Sequence, residues 1–106
     1  LELRARFRAD IGQLLATVEV LVMPTTPAPA PSGLDSTGDP SFCAPWSFAG
    51  LPAISLPSGL TPDGLPMAIQ LVAGPEAELR LLAAARWCEQ VIGFHATPYD
   101  EVKIKR

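Results

Sequence analysis

A single histidine and two cysteines are all that this 106-residue sequence offers of the side chains most often found on metals. Cys43, Cys88 and His95 follow no metal-ligand spacing, so no metal site is expected. His95 has no nucleophile at a recognisable spacing and reads as a partly exposed tail residue rather than a general base. Positive charge is scarce as well: eight Lys and Arg stand against eleven Asp and Glu, for a net charge of -3. The only basic cluster, Lys103, Lys105 and Arg106, is too short and too terminal to form a phosphate-binding groove, so no nucleic-acid partner is expected. No apolar run approaches the roughly 20 residues that span a bilayer, and a signal-peptide succession is missing, which argues against a membrane role. Two cysteines without a secretory signal read as free thiols in a cytoplasmic protein. Neither a G-x-G-x-x-G or Walker loop nor a G-x-S-x-G elbow occurs, so no cofactor and no hydrolase nucleophile can be assigned from local motifs.

What is present is an apolar chain, 48% hydrophobic and 18% charged, with the composition of a globular core. Such a balance also suits a slice of a larger core, and a chain that opens at Leu1 inside an apparent helix, with no initiator Met, favours the slice. Phe7, Ile11, Leu14, Leu15 and Val18 repeat at helical spacing and predict a helix over Leu1–Ala16. Val18–Met23 is short and β-branched, and Pro24 ends it as a strand. Residues 24–31 carry four prolines, which fix φ and remove donors, so this arm runs extended over the surface. Ser32–Pro40 is a loop by composition. Ala53–Leu56 and Met67–Ala73 predict two antiparallel strands, joined by a long connection over Pro57–Pro66 with a turn at Thr61–Gly64. Met67, Ile69 and Leu71 alternate with Ala68, Gln70 and Val72; both sets are largely apolar, which implies cover on two sides. A second helix opens near Pro75–Glu78, carries Leu81, Ala85, Cys88 and Ile92 on its inner stripe, and stops at Gly93. The fold class is α/β: about three strands with covering helices.

Candidate chemistry is thin. Cys43, between Phe42 and Trp46, has no basic neighbour to lower its pKa and reads as a packed, inert thiol. Asp35, Asp39 and Asp63 sit beside Gly or Pro, where aspartate bonds local backbone. Asp39 is also a substrate-contact candidate, because the loop before a strand is where binding residues gather. Trp46 and Phe48 could line a pocket or pack across the sheet. Gln70, inside an apolar strand, needs a partner for its amide in a neighbouring loop.

Two Gly-Leu-Pro tripeptides, Gly50–Pro52 and Gly64–Pro66, each lead into a strand-like run. With the surrounding stretch Phe42–Gly74 they resemble the carboxy-terminal signature of the amidase signature family, serine hydrolases that cleave C–N amide bonds. Glu19–Pro31, Leu56–Gly59 and Glu76–Glu89 are similar to further parts of the same region, in the same order. The resemblance implies a large mixed sheet between helix layers. It also implies acyl transfer by a Ser nucleophile, a second Ser in a cis peptide and a Lys base. In that family these groups lie amino-terminal to the region seen in this sequence, so no catalytic residue maps onto it. Lys103 and Lys105 are at the wrong end, and Ser55 and Ser58 fall in strand and turn. The sequence departs from related variants at Cys43, often Asn, and at Ala68, often Gly.

The expectation is therefore that residues 1–106 are the carboxy-terminal segment of an amidase-type domain, inactive alone. Its partners would be the amino-terminal remainder, a small amide substrate and other copies of itself. The alternative is a free-standing, non-catalytic module that binds through a sheet edge or apolar face.

Overall fold

The computed structural model of the chain describes residues 2–95, so Leu1 and the basic tail Lys103–Arg106 lie outside the described residues. Six elements follow in order: α1 (Glu2–Leu15), β1 (Leu21–Pro24), α2 (Ala44–Ala49), β2 (Ala53–Leu60), β3 (Pro66–Val72) and α3 (Glu78–Ile92). The three strands form one antiparallel sheet in the order β1-β3-β2. The last strand in sequence is thus the middle strand in space.

That placement explains why β3 is apolar on both faces. Leu71 points into a cluster with Leu56, Ala73 and, from α3, Leu81 and Ala85, with Ile54, Ile69 and Cys88 packed around it. Its neighbour Val72 points the other way, into Leu15 of α1, Ala49 of α2 and Leu51. Both Leu71 and Val72 are completely buried, as two-sided cover requires. Cover fades toward the start of β3, where Met67 is exposed.

Several boundaries differ from the sequence expectations, each for a local reason. The helical stripe of α1 is narrower than its periodicity suggests: Phe7, Ile11 and Leu15 pack inward, whereas Leu14 and Val18 are exposed. The Thr17 amide and hydroxyl both bond the Leu14 carbonyl, which prolongs the end of the helix. The strand accordingly starts only at Leu21 instead of Val18.

The second strand runs on from Leu56 to Leu60, past Pro57, with a register shift between Pro57 and Gly59. An edge strand tolerates both a missing N–H and a bulge. The connection shrinks to residues 61–65, closed by Thr61 N to Leu65 O at 2.8 Å and Gly64 N to Thr61 O at 2.9 Å. Asp63 accepts from the Thr61 hydroxyl, and this bond, with one from backbone, holds its carboxyl below the usual carboxylate range.

Just before α3, Glu76 takes a left-handed φ of 59°. Pro75 and Glu76 therefore belong to the preceding turn, and only Glu78 sits in the first helical turn. Gly93 ends α3 in a left-handed conformation, as its sequence position predicts.

Helix α2 is absent from the sequence expectation. Six residues are too few to show a period. It is defined by its ends: Pro45 in the first turn and Gly50 at φ 71° just beyond the last. Gly50 N bonds Ser47 O, and Leu51 N bonds Trp46 O. That pair of bonds is the Schellman arrangement, and buried Leu51 supplies its hydrophobic contact. The first Gly-Leu-Pro tripeptide is therefore a helix stop that feeds β2.

Candidate functional site

The segment between the proline arm and α2 is tied to the sheet at two successive residues. The Phe42 carbonyl accepts from Gln70 Nε2 of β3 and, at 2.8 Å, from Trp46 Nε1 of α2. Cys43 donates its S–H to the Thr25 carbonyl, beside the end of β1, at 3.2 Å. Gln70 is 3% exposed, so its amide needed a partner, and the neighbouring loop supplies it as its sequence context predicts. The loop is also knit internally. Cys43 N and Ala44 N bond the Pro40 carbonyl at 2.9 and 2.8 Å, and Ser41 N donates to Asp39 Oδ1 at 2.9 Å.

Next to this anchored loop lies a cleft of about 560 Å³ between the proline arm, Gly38 and Asp39, and the first residues of β3. Among the described residues, Asp39 is the one charged group in its lining. Thr25, one residue past β1 and in the lining of the cleft, meets the Ser55 hydroxyl of β2 at 2.8 Å across the middle strand. A hydroxyl pair leaves a proton or a lone pair free for a third group. The sequence reading missed Thr25, and it placed Ser55 only as a strand residue. For Ser55 the signal was available in principle, since it is a polar residue in an otherwise apolar strand; Thr25, in the proline arm just past β1, carried none.

The three residues singled out as substrate contacts do not converge. Asp39 lines the cleft while also bonding local backbone. Trp46 packs against the buried cluster of Leu15, Ala49, Leu51 and Val72, with its indole N–H turned back to Phe42. Phe48 is 46% exposed, its ring 6.1 Å from that of Phe7, and lines a shallow apolar hollow with Leu3, Ala44 and Pro45. The Phe48 carbonyl accepts from Arg4 Nε at 2.7 Å, a cation placed where the dipole of α2 favours one.

Both cysteines are free, and His95 is exposed. Among the described residues no group of His, Cys, Asp or Glu could hold a metal ion. Nor is any described helix long and apolar enough to cross a membrane.

The family model described as Amidase matches residues 1–82. Among curated proteins, the chain is 36% identical over 104 residues to the A subunit of glutamyl-tRNA(Gln) amidotransferase from Parvibaculum lavamentivorans, covering 92% of this chain and 21% of that protein. It is 40% identical over 96 residues to the protein of the same name from Prochlorococcus marinus (strain MIT 9313), covering 84% and 20%. Among solved structures, a 6-aminohexanoate cyclic dimer hydrolase complexed with substrate superposes with a TM-score of 0.72 at 23% identity, over 86% of this chain and 23% of that one. The A subunit of glutamyl-tRNA(Gln) amidotransferase from Thermotoga maritima gives 0.63 at 25% identity, over 76% and 19%. The chain thus spans about a fifth of the length of the curated relatives it matches.

Proposed function

This chain belongs to the amidase family, and on that footing we propose that it is the carboxy-terminal segment of an amidase-type hydrolase that cleaves C–N amide bonds in the cytoplasm. The observation that carries this reading is the match itself: 92% of the chain aligns with 21% of an amidotransferase of the same family. The proposed reaction is acyl transfer. A Ser hydroxyl adds to the amide carbonyl, the C–N bond breaks as the amine leaves with a proton, and water releases the acid from the acyl-enzyme. The second Ser and the Lys base that manage those protons, like the nucleophile, lie outside this chain. Its own contribution is three strands, their covering helices and one wall of the substrate pocket, with Asp39 at the cleft.

The chain alone is expected to turn over no amide, since no activated nucleophile stands beside a base among the described residues. A panel of aliphatic and aromatic amides, glutamine included, tests this by release of amine. Turnover that persists through repurification and disappears with Ser55→Ala or Ser58→Ala overturns the proposal.

A segment of a larger domain also leaves apolar surface open. On α3, Leu79, Trp87 and Val91 are exposed although the opposite side of the helix is packed. Among the described residues, two of the three strands have a free edge. Uncovered faces and edges recruit another chain, so a dimer or larger species is expected. Light scattering over a dilution series reads this directly. A monomer at every concentration that binds no hydrophobic dye would favour the free-standing binding module instead.

A further inference from the structure

We propose that Gln70 is a positioning residue: through the Phe42 carbonyl it fixes the loop 39–43, and with it Asp39, against the cleft. The inference rests on the proposal that this cleft is a wall of the substrate pocket. Its geometry is independent of any turnover.

Three observations carry it. Gln70 is the only buried polar residue among the described ones, and it lies on the central strand between apolar neighbours. A core position filled by an amide instead of Leu or Val gives up apolar burial, and the return is a directional bond. That bond goes to a loop carbonyl, not to a neighbouring strand. Second, the anchored residue is doubly held, because Trp46 Nε1 occupies the other acceptor direction of the same oxygen. Third, the restraint passes along the loop without a free joint. Cys43 next in sequence is bonded to Thr25 O, Pro40 O takes the Cys43 and Ala44 amides, and Asp39 Oδ1 takes the Ser41 amide. Asp39 is therefore three residues from a fixed point, and its own carboxylate ties it to the loop at Ser41 N. Were the Gln70 bond lost, Phe42 would keep only its tie to Trp46, which sits on α2. The loop around Phe42 and Cys43 would then be held to the sheet only by the weak Cys43 S–H bond to Thr25 O, while α2 stays packed on Val72 through Ala49 and Trp46.

The two cysteines make this measurable, since Cys43 reports the loop and Cys88 reports α3. Gln70→Met removes the donor with little change of volume. The folded chain is treated with iodoacetamide, and each cysteine is followed separately by peptide mass spectrometry. The expected result is about tenfold faster alkylation at Cys43, the scale of one lost hydrogen bond, with Cys88 unchanged. An equal rise at both thiols would mean general loosening and overturns the assignment, as does no rise at Cys43. Should Gln70→Met fail to fold, native-state hydrogen exchange of the unaltered chain decides. The Cys43 and Ala44 amides should be protected to within about tenfold of the β3 amides. Protection about a hundredfold weaker overturns the proposal. Neither experiment uses an amide substrate, so either can fail while the amidase reading stands.

Discussion

Leu71→Ala should destabilise the chain by about 2–5 kcal/mol, because the lost side chain leaves a void that the surrounding elements fill only in part. Leu71 has no exposed surface and sits where β3 meets α3, so both the transfer term and the cavity term apply. The control is Leu79→Ala on the same helix that covers it. Leu79 is 85% exposed, and its truncation should change stability by no more than about 0.5 kcal/mol. Urea denaturation at equal m-values gives both numbers. A Leu71→Ala loss below about 1 kcal/mol would mean that α3 does not rest on the sheet as described.

The second large effect is expected at the first Gly-Leu-Pro tripeptide. Gly50 holds a φ of 71°, a conformation costly for a β-branched residue. A Cβ there would also approach Arg4 Nη2 at 3.3 Å and Arg8 Nη1 at 3.4 Å. These guanidinium groups end flexible side chains and can retreat, so the strain of the dihedral dominates. Gly50→Val should cost about 1–3 kcal/mol. Gly64→Val, at φ 88°, should behave alike. Cys43→Ser and Cys88→Ser should cost less, since a hydroxyl can still donate to Thr25 O and Cys88 is only partly buried. Gly50→Asn separates the causes: asparagine tolerates the left-handed region, so it should recover most of the loss. Chemical denaturation ranks the five variants. If Gly50→Val and Gly50→Asn are equally damaging, close approach and not the dihedral is what demands glycine.

These two positions also show how much of the fold was legible beforehand. Leu71 and Val72 could be read as core on opposite faces, because an alternating strand with no polar face needs two-sided cover. Gly50 could be read as a special backbone position but not as a helix stop, since the short helix it ends has no period. The middle place of β3 was not legible: strand order depends on which edges meet in space, and neighbouring runs along the chain point only to the β2–β3 hairpin. Within the site, Gln70 announced its need for a partner by being polar in an apolar run. The partner itself, a backbone carbonyl at Phe42, leaves no mark in side-chain chemistry. Trp46 and Phe48 looked equivalent in sequence because both are aromatic and two residues apart. On a helical turn that spacing sends them to different surroundings, one into the core and one to the surface.

A strand packed on both faces creates a problem of alignment. In most sheets a slip of one residue turns the core side outward, and that penalty protects the correct pairing. Here a slipped β3 would still bury leucine, isoleucine and valine on either side, so hydrophobicity barely distinguishes right from wrong. The information has to come from elsewhere. Part of it is in the short turn at residues 61–65 and the bulge at Pro57–Gly59, which set the offset of β2. The rest is in Gln70. Shifted by one place, its amide would face Leu81 and Ala85, away from the Phe42 carbonyl, at a cost of about 1–3 kcal/mol for an unpaired buried group. One glutamine thus acts as the index mark by which a nearly uniform strand finds its alignment.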